Sequence, residues 1–225
     1  MRKNIFVIII LVLLAVRPAF ADTIFWTDWT SATTGSSGSA VGSISTTGGP
    51  VTVNYTGDVI FAQTGTGTNY WTENTPAPYT GNSLVDNAPT ASELIALSRS
   101  NITNTITFSK AIDDPIMAIV SLGQAPIAVS YDFNIPFTVL GEGWGYWGDG
   151  TYSLSPGDIL TGSELHGVIQ FNGSISSISW TASPNEFWHG FTIGLPQESV
   201  PEPSSILLLG FGLAGVGLLR RRFKN

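Results

Sequence analysis

The chain contains no cysteine. That absence excludes disulfide staples, thiol catalysis and thiolate metal sites together, and leaves burial of apolar surface as the source of stability. Positive charge is nearly missing between Asp22 and Ser199, where Arg99 and Lys110 stand against 15 Asp and Glu, a net charge of about −13. Such a surface repels phosphate and so disfavours nucleic acids and anionic lipid head groups as partners, while cations, neutral glycans and basic proteins remain open. Histidine is scarce: His166 and His189 are the only two. Neither has a partner at metal-ligand spacing, which points to structural roles for both. The chain also lacks the GxSxG, SxxK and HExxH patterns of common hydrolases. It has no internal repeat of solenoid or propeller period.

What is present divides the chain into three. Residues 1–21 read as a secretory signal peptide: Arg2 and Lys3, an uncharged run from Ile5 to Val16, and the small-residue site Ala19-Phe20-Ala21. The apolar run is about a dozen residues, short of the roughly 20 that span a bilayer, so cleavage after Ala21 is expected rather than permanent anchoring. Residues 22–198 form the expected secreted domain, long enough for a sizeable core. Residues 199–225 differ in chemistry from everything before them.

Within the domain, short apolar segments alternate with turn residues. Expected strands are Ile24–Trp26, Val51–Tyr55, Val59–Phe61, Ile102–Phe108, Ile116–Leu122, Val129–Phe133, Phe137–Leu140, Thr151–Leu154, His166–Phe171, Ile175–Thr181 and Phe187–Ile193. In Ile102–Phe108, residues Ile102, Ile106 and Phe108 share one face and three threonines the other, the period-2 signature of a half-buried strand. Asn172-Gly173 between two apolar runs signals a hairpin. The spacing Thr90-Ala-Ser-Glu93 before Leu94, Ile95 and Leu97 signals a capping box and one short helix. Residues 30–47 are rich in Gly, Ser and Thr and read as a long loop or a weakly ordered strand pair. The expected fold is all-β, an antiparallel β-sandwich or jelly roll with one short helix.

Gly141-Glu-Gly-Trp144-Gly-Tyr146-Trp147-Gly-Asp149-Gly150 is the most unusual stretch. Three aromatics among five glycines suit either a sugar-stacking platform, with Glu142 or Asp149 accepting hydroxyls, or a hairpin whose rings cover an end of the fold. Glu142, Glu164 and Glu186 offer a carboxylate pair for polysaccharide hydrolysis if two of them lie about 5–10 Å apart, and solvated rim positions otherwise. No cofactor is expected. Calcium is the most plausible ion, with Asp113, Asp114, Asp149 and Asp158 in Gly/Pro turns as oxygen ligands.

The C-terminal stretch opens with Val200-Pro201-Glu202-Pro203, whose two prolines stiffen an extended backbone. An apolar helix is expected over about 204–219, only some 24 Å long against a hydrocarbon core of about 30 Å. Arg220, Arg221 and Arg222 follow, a cluster that stays cytoplasmic and so places the domain outside. On these features alone, a permanent tail anchor and a temporary one are both open. VPEPSSILLLGFGLAGVGLLRRR resembles the PEP-CTERM sorting signal of Gram-negative bacteria. The resemblance implies recognition by an exosortase, a membrane protease-transpeptidase, with removal of the tail near Pro-Glu-Pro. It also implies transient anchoring in the inner membrane and delivery to the cell surface or matrix, commonly alongside exopolysaccharide. More loosely, IVSLGQ (119–124), GYWGDGT (145–151), LHGVIQF (165–171) and ISW (178–180) are similar to a cargo domain common upstream of such signals, which implies a secreted β-domain and no particular activity.

Overall fold

Alternation of apolar with Thr and Ser residues carries directly into strands, and the burial of those strands sets the layers. The computed structural model describes residues 22–197. The expected signal peptide, the Pro-Glu-Pro segment, the apolar helix over 204–219 and the arginine cluster lie outside the described residues. Within them every regular element is a strand, in the order β1 (Ile24–Trp26), β2 (Asp28–Thr33), β3 (Gly35–Ile44), β4 (Val51–Val59), β5 (Phe61–Gln63), β6 (Leu94–Leu97), β7 (Thr103–Asp113) and β8 (Ile116–Leu122). There follow β9 (Val129–Phe133), β10 (Phe137–Glu142), β11 (Trp144–Gly145), β12 (Gly148–Asp149), β13 (Thr151–Ser155), β14 (Ile159–Ser163), β15 (Leu165–Phe171), β16 (Ser174–Ser183) and β17 (His189–Pro196). Among the described residues, no helix is long and apolar enough to cross a membrane.

Two large antiparallel sheets share one core. The first runs β10-β15-β8-β17-β6-β5, with β1 also on β17; the second runs β13-β14-β9-β16-β7-β4-β3-β2. Met117, Ile119, Phe191 and Ile193 of the first sheet pack with Tyr55, Ile106, Tyr131 and Trp180 of the second. The alternate residues of β8, Ile116, Ala118 and Val120, face the other way into a second cluster with Trp71, Tyr79 and Val85. The first sheet is therefore buried on both faces. Its outer cover is the segment between β5 and β6, which holds its shape by side-chain bonds to backbone. Glu73 accepts the N–H groups of Tyr79 and Thr80 at 2.7 and 2.8 Å. Asn87 bonds both the N–H and the C=O of Ile24, at 2.6 and 3.0 Å.

Three expectations are corrected or resolved by this arrangement. The expected short helix after Thr90 is a strand. Glu93 does reach back to the Thr90 N–H, and its own N–H bonds the Thr90 carbonyl at 3.0 Å, so one capped turn forms. The chain then enters β6, where Leu94, Ile95, Ala96 and Leu97 are all buried, a four-residue run short enough for a strand sandwiched between two apolar layers. Asn172-Gly173 does not join a hairpin: β15 lies in the first sheet and β16 in the second, so the turn crosses between them. It lies beside the crossing from β7 to β8, where Asp114 Oδ1 accepts the Gly173 N–H at 2.6 Å. Of the two readings of residues 30–47, the strand pair is the one formed, β2 with β3. Its anchor is Trp29, fully buried, edge-on to Phe191 and bonded through Nε1 to Thr192 Oγ1 at 3.2 Å.

Asp58 is the principal buried charge linking the layers. Its carboxylate pairs with Arg99 and accepts the backbone N–H groups of Ser98 and Arg99, each at 2.7 Å. Asp58→Ala leaves two part-buried donors unpaired and frees the half-exposed guanidinium, so it should destabilise the fold by about 1–3 kcal/mol in urea titration without changing the transition's steepness.

Candidate functional site

Antiparallel pairing gathers chain-distant residues at one end of the first sheet. The end of β8 lies against the start of β15 (Leu122 with Leu165) and the start of β17 (Val120 with Gly190), while the end of β10 meets β15 (Glu142 with Gly167). Glu142, Glu164, Glu186, His166, His189 and the Gly-rich aromatic stretch thus converge from three separate regions of sequence.

The aromatic stretch forms a small hairpin, β11 with β12, with Tyr146 and Trp147 at its turn. Its glycines are needed where its backbone presses on its neighbours. A Cβ on Gly145 would lie 2.3 Å from His166 Cγ, one on Gly143 2.2 Å from the Pro76 carbonyl oxygen, and one on Gly150 1.9 Å from that of Glu164. The seat is also hydrogen-bonded: Trp144 N–H donates to Pro76 O and Asn74 N–H to Trp144 O, both at 2.8 Å. Trp147 lies near-parallel to two rings, Tyr70 at 5.2 Å and His166 at 6.3 Å, and Trp188 meets it edge-on at 5.0 Å. Trp147 divides its surface between these contacts and solvent, at 43% exposed. Trp144 and Tyr146 are 47% and 44% exposed. Tyr146 packs edge-on against Tyr70, whereas among the described residues Trp144 has no ring partner.

Beneath the hairpin the acids have different surroundings. Glu186 is enclosed: it accepts the Gly123 N–H at 3.0 Å and pairs with Nδ1 of the fully buried His189. Glu164 is partly open; Ser121 Oγ donates to its Oε1 at 2.5 Å, and its own N–H bonds the Gly123 carbonyl at 2.9 Å. Ser121 and Glu164 both have left-handed backbone, φ 57° and 58°, a conformation costly for side chains of their kind. Burial raises the Glu164 pKa, the Ser121 bond lowers it, and the charge of Glu186 raises it again. His166 Nε2 lies 3.8 Å from Glu164 Oε1, yet burial dominates and pushes the imidazole down to about 4. Glu142 and Glu164 reach the surface of this end while Glu186 does not, so the three acids do not line one open cleft.

The calcium candidates are dispersed. Asp113 and Asp114 lie at the opposite end of the sheet, Asp149 pairs with Trp144 on the hairpin, and Asp158 lies in the turn between β13 and β14. Among the described residues, no group of three or more His, Asp or Glu is arranged to hold a metal ion. Sequence reasoning missed Tyr70, Tyr79 and Ser121. Tyr70 and Tyr79 sit in a segment without periodicity, and Ser121 is marked only by a positive φ that sequence does not display.

Two measurements check this geometry. Gly145→Ala drives a methyl into the His166 ring, so urea unfolding should show a loss of about 1–3 kcal/mol, with tryptophan emission shifted as the hairpin lifts. His166 is held neutral in the fold, so its contribution is full above its ordinary pKa of 6.5 and is lost as pH falls toward about 4, a loss of up to about 3 kcal/mol. Glu164, whose pKa is raised, offsets part of that at the acid end. His166→Gln should flatten the stability profile between those limits.

Searches of curated proteins and of solved structures each find no match. A family model does match beyond the β-domain: residues 199–222 fit the PEP-CTERM protein-sorting motif, and the chain thereby carries a C-terminal signal of exosortase substrates.

Proposed function

We propose that this chain is an exported protein that an exosortase sorts to the cell surface or extracellular matrix, where its β-domain acts by binding, with glycan as ligand, rather than by catalysis. The observation that carries the reading is the match of residues 199–222 to the sorting motif. The chemistry before and after Pro201-Glu202-Pro203 supports it: an acidic domain with two basic residues on one side, an apolar stretch and three consecutive arginines on the other. The signal-peptide pattern ending at Ala19 and Ala21 supplies the export step. The apolar stretch over 204–219 then holds the protein in the inner membrane until the tail is removed. The two sheets, read as a β-sandwich, suit a rigid cargo.

Within the β-domain, the hairpin of Trp144, Tyr146 and Trp147 is the ligand-binding feature. Three part-exposed rings on a clamped backbone present amphipathic surface at little conformational cost. Enclosure of Glu186 disfavours the alternative of a hydrolase working through Glu164 and Glu186.

Mass spectrometry of the mature protein from the producing cell tests the sorting. Its C-terminus should lie near Pro203, with residues 204–225 gone; recovery of Arg220–Asn225 on the mature chain would instead identify a permanent tail anchor.

A further inference from the structure

The charge around the exposed hairpin is one-sided. Glu142, Glu164 and Asp149 all lie at this end of the sheet, and Asp149 is the direct cross-strand partner of Trp144. Residues opposed in an antiparallel pair share a face, with Cβ atoms roughly 5 Å apart. The carboxylate of Asp149 therefore stands beside the free ring of Trp144. No cation balances it. The only basic residues from 22 to 197 are Arg99, committed to Asp58, and Lys110, which lines a groove of about 220 Å³ with Phe25, Leu195 and Pro196 at the opposite end. His166 stays neutral under Trp147. Its Nε2 is buried without a hydrogen-bond partner, 3.8 Å from Glu164 Oε1.

An exposed indole beside a carboxylate, in a field without cations, complements an ammonium group carried on a flat apolar face. Uronate and sulfate polymers meet repulsion here, and a neutral sugar leaves Asp149 without a charged partner. We infer that the hairpin binds a glycan bearing free amino groups, with one hexosamine ring on Trp144 and its ammonium on Asp149. This rests on the reading of the β-domain as a glycan-binding module and names the class of glycan.

Titration of the purified full-length chain in detergent with chitosan oligosaccharide, and with its fully N-acetylated counterpart, tests the inference. The chitosan oligomer should bind at least tenfold more tightly than the acetylated one and weaken as salt is raised. Trp144→Ala should lose at least tenfold of that binding and Asp149→Asn about fivefold, while Asp132→Asn, on the exposed side of β9, leaves it unchanged. Circular dichroism of each variant confirms that these surface changes leave the fold intact. Equal affinity for both oligomers, abolished by Trp144→Ala, overturns the amine preference and leaves glycan binding standing. Chitosan binding indifferent to Trp144→Ala but reduced by Asp132→Asn reveals diffuse surface attraction and overturns the site. Absence of binding to either oligomer overturns the amine-bearing glycan as ligand and leaves the sorting assignment untouched.

Discussion

Burying both faces of one sheet is the constraint on which the rest of this molecule depends. Every residue of β8 is buried, as are all but the last of β17, and the two strands lie side by side. Without cysteine, that burial must carry the stability. The second sheet covers one face. Among the described residues the other has no sheet to cover it and is closed by an irregular segment, whose Trp71 and Tyr79 cluster with Val120 and Val168, and by the aromatic hairpin at its end. Irregular cover must satisfy its own backbone polar groups, and the side chains of Glu73, Asn82 and Asn87 do so bond by bond.

The same demand explains the composition of the aromatic stretch. The hairpin lies against its neighbours closer than a Cβ allows, so glycine appears where it touches: Gly143 on the Pro76 backbone, Gly145 on the His166 ring, Gly150 on the Glu164 backbone. Rings then supply the apolar area that the glycines lack. Trp147 stacks on Tyr70 and His166 in that closure, and the packing leaves part of each of Trp144, Tyr146 and Trp147 exposed. His166 stays neutral as part of this arrangement, because the ring covering it removes the water that a charged imidazole requires.

Strands whose burial follows from local alternation were legible in the sequence: Ile24–Trp26, Ile116–Leu122 and Val129–Phe133 have the same bounds in the structure. Local signals failed where their meaning depended on the other sheet. Thr90 and Glu93 do form a capped turn, but a helix after it would have exposed residues that both layers bury. Asn172-Gly173 does turn, but the next strand pairs with β7 and β9 rather than with β15. The two-sided burial of the first sheet also hid its cover, since Trp71 and Tyr79 are isolated aromatics in a polar run. At the site, the candidates Glu142, Glu164, Glu186 and the hairpin were visible as unusual residues. Their convergence comes from strand order, which no single segment encodes. The enclosure of Glu186 by Gly123 and His189, which separates it from the other acids, is likewise a tertiary fact.

Strand β17 ties the two halves of the proposed role together geometrically. It begins at His189, beneath the aromatic end, and finishes at Pro196, beside β1, where Gln197 N–H bonds the Thr23 carbonyl at 2.8 Å. Seven steps of about 3.3 Å separate those ends by roughly 23 Å. The start of the described chain and its exit toward the sorting motif therefore share one pole, and the exposed rings occupy the other. A tail that draws the exit pole toward a membrane leaves Trp144 and Asp149 on the far side, turned toward whatever polymer lies outside. Reversing β17, or placing the hairpin beside β1, would press the same rings against the bilayer interface, where tryptophan and tyrosine partition readily and would compete with any glycan. The antiparallel order of three buried strands thus decides which chemistry faces outward, and it does so with no residue contributed by the tail.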